Sequence, residues 1–182
     1  GKIGRELPGM TVGIIGTGKI GKTVIKHLSG FGCKILAYDI YESDEVRQYA
    51  QYIDLDTIYR ECDIISLHAP ATDDNYHMIN HEVMDKMKQG VILINCARGG
   101  IVDEDDLYEA LSEHKIHGAG VDVLTQEPFD KDSRLLKLDN MIVTPHDAAL
   151  NVETMNKMGL DAAQGIYEVF EGLKPSWPVS KF

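Results

Sequence analysis

The chain has 182 residues, with 18 Lys and Arg against 29 Asp and Glu, for a net charge of −11. That length predicts one domain, since domains run to roughly 100–200 residues, and a core large enough to fold without disulfides or metal. The acidic balance argues against nucleic acid or an anionic membrane as partner, 43% hydrophobic content argues against disorder, and no apolar run approaches a membrane span.

The opening Gly-Lys-Ile-Gly-Arg-Glu-Leu does not read as a signal peptide, and a first residue of Gly suggests a piece cut from something longer. Apolar, β-branched runs then recur at 11–15, 34–38, 63–67, 91–95, 118–123 and 141–144, with a further short strand near Tyr52 and Ile53. They are continuously apolar, not alternating, as strands covered on both faces of a parallel sheet read. Helix signals fall between them. Asp103 precedes an acidic first turn, Glu104 to Asp106, with Leu107, Ala110 and Leu111 on one face. Asn151 is the expected N-cap of the longest helix, with an apolar stripe Met155, Met158, Ala162, Ile166, Val169 and Phe170 and a stop at Gly172. The pattern predicts an α/β fold, a Rossmann-type doubly wound parallel sheet with helices on both faces. Residues 1–174 are expected to form the domain and 175–182, with Pro175 and Pro178, an extended tail. Cys33, Cys62 and Cys96 are odd in number and widely spaced, which argues against a zinc site or disulfide framework and for a reducing, cytoplasmic setting.

Residues 16–23, G-T-G-K-I-G-K-T, fit two motifs. Gly16, Gly18 and Gly21 satisfy G-x-G-x-x-G, and the same stretch satisfies the G-x-x-x-x-G-K-[ST] phosphate loop of nucleotide hydrolases. On the hydrolase reading the helix starts near Lys22 and stops before Ser29-Gly30, about two turns. On the dinucleotide reading it starts near Gly18, runs to Leu28, and aligns Ile20, Val24 and Leu28. Asp39 ends the second strand 18 residues past Gly21 (39 − 21), near the roughly 20 expected of a carboxylate that binds ribose hydroxyls. Strand, helix and acid together favour the dinucleotide, and an acid at Asp39 repels a 2′-phosphate, which favours NAD over NADP. The glycines could otherwise serve only a tight turn.

Arg98, Glu127 and His146 each follow a predicted strand, at the edge where doubly wound sheets hold ligand. Arg grips a carboxylate through two hydrogen bonds, His transfers a proton near neutral pH, and a Glu on the other ring nitrogen fixes its tautomer. The set suits reduction of a carbonyl next to a carboxylate. Taken singly, each also reads as a surface or turn residue. His77 with His81 and His114 with His117 have helical spacing, but no third ligand is evident, so no metal is expected; His68 reads as a buried, hydrogen-bonded histidine.

G-x-G-x-I-G with Asp39, S-L-H-A-P at 66–70, N-C-A-R-G-G at 95–100, G-V-D-V-x-x-x-E-P at 120–128 and T-P-H-x-A at 144–148 resemble, in order and over nearly the whole chain, the D-isomer-specific 2-hydroxyacid dehydrogenases. The resemblance implies NAD binding, an active site of Arg98, Glu127 and His146, and cofactor contacts at Lys19, Ile20, Asp39, Ala69, Pro70, Asn75, Cys96, Ala97, Arg98, Asp122, His146 and Ala148. It implies reversible hydride transfer between NAD(H) and a 2-hydroxyacid/2-oxoacid pair, and, in the intact enzyme, a homodimer. The family's substrate-binding domain, built mostly before the glycine motif, is absent from this chain, so the fragment alone is expected to be inactive. Asp147 departs from the pattern, since an apolar residue often follows the family's catalytic His. A dinucleotide-sensing, corepressor-like interaction protein without turnover is the alternative, and a phosphate-loop hydrolase the third reading.

Overall fold

The computed structural model describes residues 4–178. The chain divides into two compact units, Gly1–Pro145 and His146–Phe182. In the first, seven strands follow one another as β1 (Thr11–Ile15), β2 (Lys34–Tyr38), β3 (Gln51–Tyr52), β4 (Ile64–Leu67), β5 (Val91–Asn95), β6 (Ile116–Val121) and β7 (Met141–Val143). Between them run α1 (Lys19–Leu28), α2 (Asp44–Arg47), α3 (Leu55–Glu61), α4 (His81–Lys86) and α5 (Glu104–Ser112).

All strand pairs are parallel, in the order β3-β2-β1-β4-β5-β6-β7. Consecutive side chains of a strand face opposite sides of the sheet, and here both sides are buried. Ile14, Ile35, Ala37 and Ile64 pack with Ile25 of α1 and Val46 of α2. Ile15, Leu36, Ile65, Leu67 and Leu93 pack on the other face with Ile58 of α3, Met84 of α4 and Leu107 and Leu111 of α5. Two buried faces are why these strands read as unbroken apolar runs. The predicted Rossmann-type sheet is the one observed.

One boundary differs from the sequence reading in a way that matters, and another bears it out. The sixth strand starts and ends two residues earlier than 118–123, because Ile116 pairs with Val91 and Gly118 with Ile92 across a register shift. Asp122 therefore falls just past the strand end. The first helix begins at Lys19 with Gly18 as its N-cap, as the dinucleotide reading requires. Lys22 lies within that helix, and its ammonium pairs with Glu45 at 2.8 Å.

At the amino ends of the strands, Asp63 ties three segments together. It accepts from Thr11 N–H at 2.9 Å and from Lys88 Nζ at 2.7 Å, with the Arg5 guanidinium at 3.7 Å. Burial pushes its carboxyl up, but the Lys88 and Thr11 hydrogen bonds outweigh this and hold it below the usual carboxylate range.

The second unit contains α6 (Val152–Phe170). Asn151 caps it as predicted, accepting from Thr154 N–H at 2.8 Å, and Gly172 ends it with φ of +69°. Its apolar stripe is exposed, up to 86% at Phe170. Glu168, the buried residue of this helix, accepts from Ser176 N–H and Oγ at 2.7 and 2.8 Å and from Gln164 at 3.0 Å. Residues 174–178 form no helix or strand, and the rest of the predicted tail lies outside the described residues.

Candidate active site

Parallel order reverses at β1, which has β2 on one side and β4 on the other. A crevice opens at the carboxyl ends of strands at such a switch point. The turns after β1 and β4 meet there backbone to backbone. Gly16 has φ of +93°, and a Cβ on it would lie 2.5 Å from Ala69 N and 2.6 Å from His68 C. A Cβ on Gly21 would lie 1.9 Å from Gly16 O, so this glycine lets α1 pack against the turn. Gly18 differs, with nothing within 4 Å of where a Cβ would stand. That open space fronts the start of α1, which has no side-chain cap bond and no acid in its first turn. The first-turn N–H groups of a helix lack partners within the helix, and with the dipole they attract an anion.

A cleft of about 620 Å³ is lined by Gly18, Lys19, Ile20, His68, Ala69, Pro70, Ala71, Cys96, Ala97 and Arg98. Eight of these are cofactor-site residues expected from the sequence; His68, expected only as a structural histidine, and Ala71 join them. Asn75 is not among the lining residues; it donates from Nδ2 to Pro70 O at 2.7 Å and accepts from Thr72 N–H at 2.8 Å, so it fastens the 70–75 loop.

Asp39 ends β2 beside the glycine turn. Its Oδ2 accepts from Thr17 N–H at 2.6 Å and Thr17 Oγ1 at 3.1 Å, and its Oδ1 from Tyr41 N–H at 2.9 Å. A carboxylate has about four acceptor positions; these bonds use three and leave one on Oδ1. Thr17, a motif residue the glycine pattern leaves unspecified, is 5% exposed and was missed by sequence reasoning.

Asn95, 1% exposed at the end of β5, is a second residue sequence reasoning missed. Its Oδ1 accepts from Ala97 N–H and its Nδ2 donates to Arg98 O, both at 3.0 Å, which shapes the Cys96–Arg98 turn. Arg98 donates from Nη1 to Ala97 O at 2.7 Å and is exposed at the cleft. A polar residue closing a buried apolar strand was the available signal. Gly99 then abuts the Leu124–Thr125 peptide, where a Cβ would come within 2.1 Å of Leu124 C. Thr125 N–H donates to Glu104 Oε1 at 2.5 Å. The loop that carries Glu127 is thereby held on the loop that carries Arg98.

Asp122 accepts from Thr144 Oγ1, and its own N–H donates to Asn95 O at 3.0 Å. Burial, and then the Asp122 charge, push the Cys96 thiol up. His68 is hydrogen-bonded as expected, with Nε2 2.9 Å from Ser66 Oγ, but it is half-buried, not buried; its Nδ1 atom is buried with no partner among the described residues. Burial lowers its pKa. His77 and His81 turn to different carboxylates, Asp103 and Asp85.

His146 and Ala148 belong to the second unit. His146 is exposed, with φ of +52°, a conformation uncommon for a residue with a side chain. Asp147 O accepts from Leu150 N–H at 2.8 Å, which turns the chain towards Asn151.

Residues 1–148 match the family described as D-isomer specific 2-hydroxyacid dehydrogenase, NAD binding domain. The chain is similar to a hydroxypyruvate reductase of Thermotoga maritima, 44% identical over 167 residues that make up 91% of this chain and 54% of that protein. A D-lactate dehydrogenase of Lactiplantibacillus plantarum is 40% identical over 170 residues, 86% of this chain and 51% of its own length. A crystal structure of D-lactate dehydrogenase with NAD+ from Lactobacillus jensenii superposes with a TM-score of 0.91 at 37% identity, covering 98% of this chain and 58% of that one. The chain thus spans about half the length of the curated relatives it matches. No described helix is long and apolar enough to cross a membrane. The glycine turn, the Asp39 carboxylate and this match over most of the sequence place the chain in the D-isomer specific 2-hydroxyacid dehydrogenase family, as its NAD-binding domain.

Proposed function

We propose that this chain is the cofactor-binding part of an enzyme that reduces a 2-oxoacid to a D-2-hydroxyacid, and runs the reverse reaction, with NAD(H). The observation that carries the reading is the cleft that joins the glycine turn to Arg98 at one sheet edge. The residues present fit NAD. Gly18 leaves room at an uncapped helix start, Gly16 and Gly21 are positions a Cβ would fill, and Asp39 keeps an acceptor position on Oδ1. In this reading Gly16, Gly18, Lys19, Ile20 and Gly21 hold the pyrophosphate side, Asp39 the adenosine ribose, and Ala69, Pro70, Asn75, Cys96, Ala97, Arg98, Asp122, His146 and Ala148 the remainder.

NADH supplies the hydride when bound. Arg98 grips the substrate carboxylate with its planar fork and orients the ketone. His146 donates the proton that the carbonyl oxygen takes up as the carbon receives the hydride, so C=O becomes CH–OH. Glu127 has the role of the carboxylate that keeps this proton donor in the right tautomer. Residues 1–174 act as one cofactor domain, and a substrate-binding domain and a second copy complete the enzyme. Three free cysteines support a cytoplasmic setting.

The test is a panel of 2-oxoacids with the substrate-binding domain present, followed by NADH oxidation. Turnover is expected, with His146→Ala lowering the rate about a hundredfold or more and Arg98→Ala also weakening oxoacid binding. NADH binding with no turnover on any 2-oxoacid would favour a dinucleotide-sensing role instead.

A further inference from the structure

We propose that Tyr52, acting through Thr17, orients Asp39 and so sets the preference for NADH over NADPH; the proposal rests on the reading that Asp39 receives the adenosine ribose. Four groups form an unbroken chain. Ser43 N–H lies 3.1 Å from the Tyr52 hydroxyl, that hydroxyl lies 2.8 Å from Thr17 Oγ1, and Thr17 Oγ1 lies 3.1 Å from Asp39 Oδ2. The two ends dictate the direction of every proton. A backbone N–H can only donate and an ionised carboxylate can only accept. Ser43 therefore donates to Tyr52, Tyr52 to Thr17, and Thr17 to Asp39. Thr17 N–H adds a second donor to the same Oδ2 at 2.6 Å. Aligned hydrogen bonds polarise one another, and this chain is largely shielded from water at Thr17.

The placement of Tyr52 is a consequence of the fold. It sits on β3, an edge strand of two residues, in register with Ala37 of β2, and Ser43 is the residue just before the short α2. The Arg47 guanidinium lies 5.4 Å from the centre of its ring. The two-residue strand therefore brings a phenol within reach of the glycine turn.

The consequence for selectivity is mechanical. With Oδ2 committed to Thr17 and Oδ1 bonded to Tyr41 N–H, the carboxylate cannot rotate freely, and Oδ1 keeps one acceptor position. A ribose 2′-hydroxyl has a proton to give it. A 2′-phosphate brings negative charge against a carboxylate that cannot swing aside. Loss of the Tyr52 hydroxyl removes the donor that fixes the Thr17 hydroxyl towards Asp39, and so loosens, without freeing, a carboxylate still held by the Thr17 and Tyr41 N–H groups; rejection of NADPH weakens more than binding of NADH.

The experiment is titration calorimetry of NADH and NADPH on this chain, with thermal unfolding as the check on folding. Tyr52→Phe is expected to reduce the NADH-to-NADPH affinity ratio about three- to tenfold, the worth of one hydrogen bond of ordinary strength. Thr17→Val, which keeps the shape of the side chain, should do the same from the middle of the chain, and Thr17→Ser should restore the ratio. Asp39→Ala should reduce it further, and adding Tyr52→Phe to Asp39→Ala should change nothing more. A merely structural Tyr52 weakens both dinucleotides equally, or acts undiminished in the Asp39→Ala background, and either result overturns the proposal. If Tyr52→Phe does not fold, the Thr17 pair decides alone. An unchanged ratio in Asp39→Ala rejects the ribose reading itself, and the proposal with it.

Discussion

The same substitution at two motif glycines should have opposite outcomes. At Gly21 a Cβ would stand 1.9 Å from Gly16 O, a backbone atom that cannot step aside without moving the turn. Relief needs a displacement on the order of 1 Å, and overpacking of that kind costs about 1–3 kcal/mol. For a chain of this size that corresponds to a fall in melting temperature of roughly 2–12 °C. At Gly18 a Cβ meets nothing within 4 Å, and the residue already has φ of −63°, which alanine adopts without strain. The lower backbone entropy of alanine in the unfolded chain and its weaker N-cap preference nearly cancel, leaving stability within about 0.5 kcal/mol of wild type. The added methyl stands where the pyrophosphate must approach the helix start, so NADH affinity should fall by about tenfold or more, or roughly 1.4 kcal/mol. Urea unfolding and titration calorimetry on the two variants separate the effects. Gly18→Ala with wild-type affinity would refute the role given to that open space, and Gly21→Ala with wild-type stability would refute the packing argument.

Asp63→Asn should destabilise the fold by about 1–3 kcal/mol at neutral pH, since it removes the charge bonded to Lys88 and Thr11. Because the folded pKa of Asp63 lies below its unfolded value, the contribution is fully present above the unfolded pKa and is lost as pH falls through the folded one. Stability curves of wild type and mutant should converge in acid, and parallel curves would remove Asp63 from the account. Asn95→Leu strands the N–H of Ala97 and the carbonyl of Arg98, which should cost about 1–3 kcal/mol and weaken NADH binding. A mutant of wild-type stability and affinity would mean that another group shapes the Cys96–Arg98 turn.

What could be read in advance followed from local chemistry. Ile14 and Ile15, facing opposite covered sides, announced a parallel sheet, and Asp103 and Asn151 announced helix starts that both carry the expected cap bonds. The glycine motif located its own turn because only glycine tolerates φ of +93° next to Ala69 or 1.9 Å from a carbonyl. Thr17, Tyr52 and Asn95 were not legible, since their partners are set by strand order and register. Tyr52 reaches Thr17 only because a two-residue strand pairs with β2. The short α2, α3 and α4 were also missed as individual elements, four to seven residues being too few to display a helical period. The stripe on α6 was read correctly as apolar, yet its side chains are exposed in this chain.

The most direct test of the central claim is an amide NMR spectrum of the chain titrated with NADH. Shifts should concentrate at the carboxyl edge of the sheet, in Gly16 to Gly21, Asp39 to Tyr41, His68, Ala69 and Cys96 to Arg98. Amides at the opposite edge, such as Met10, Lys34, Asp63 and Val91, should stay in place. Shifts centred on that opposite edge, or no shifts at saturating NADH, would contradict the account.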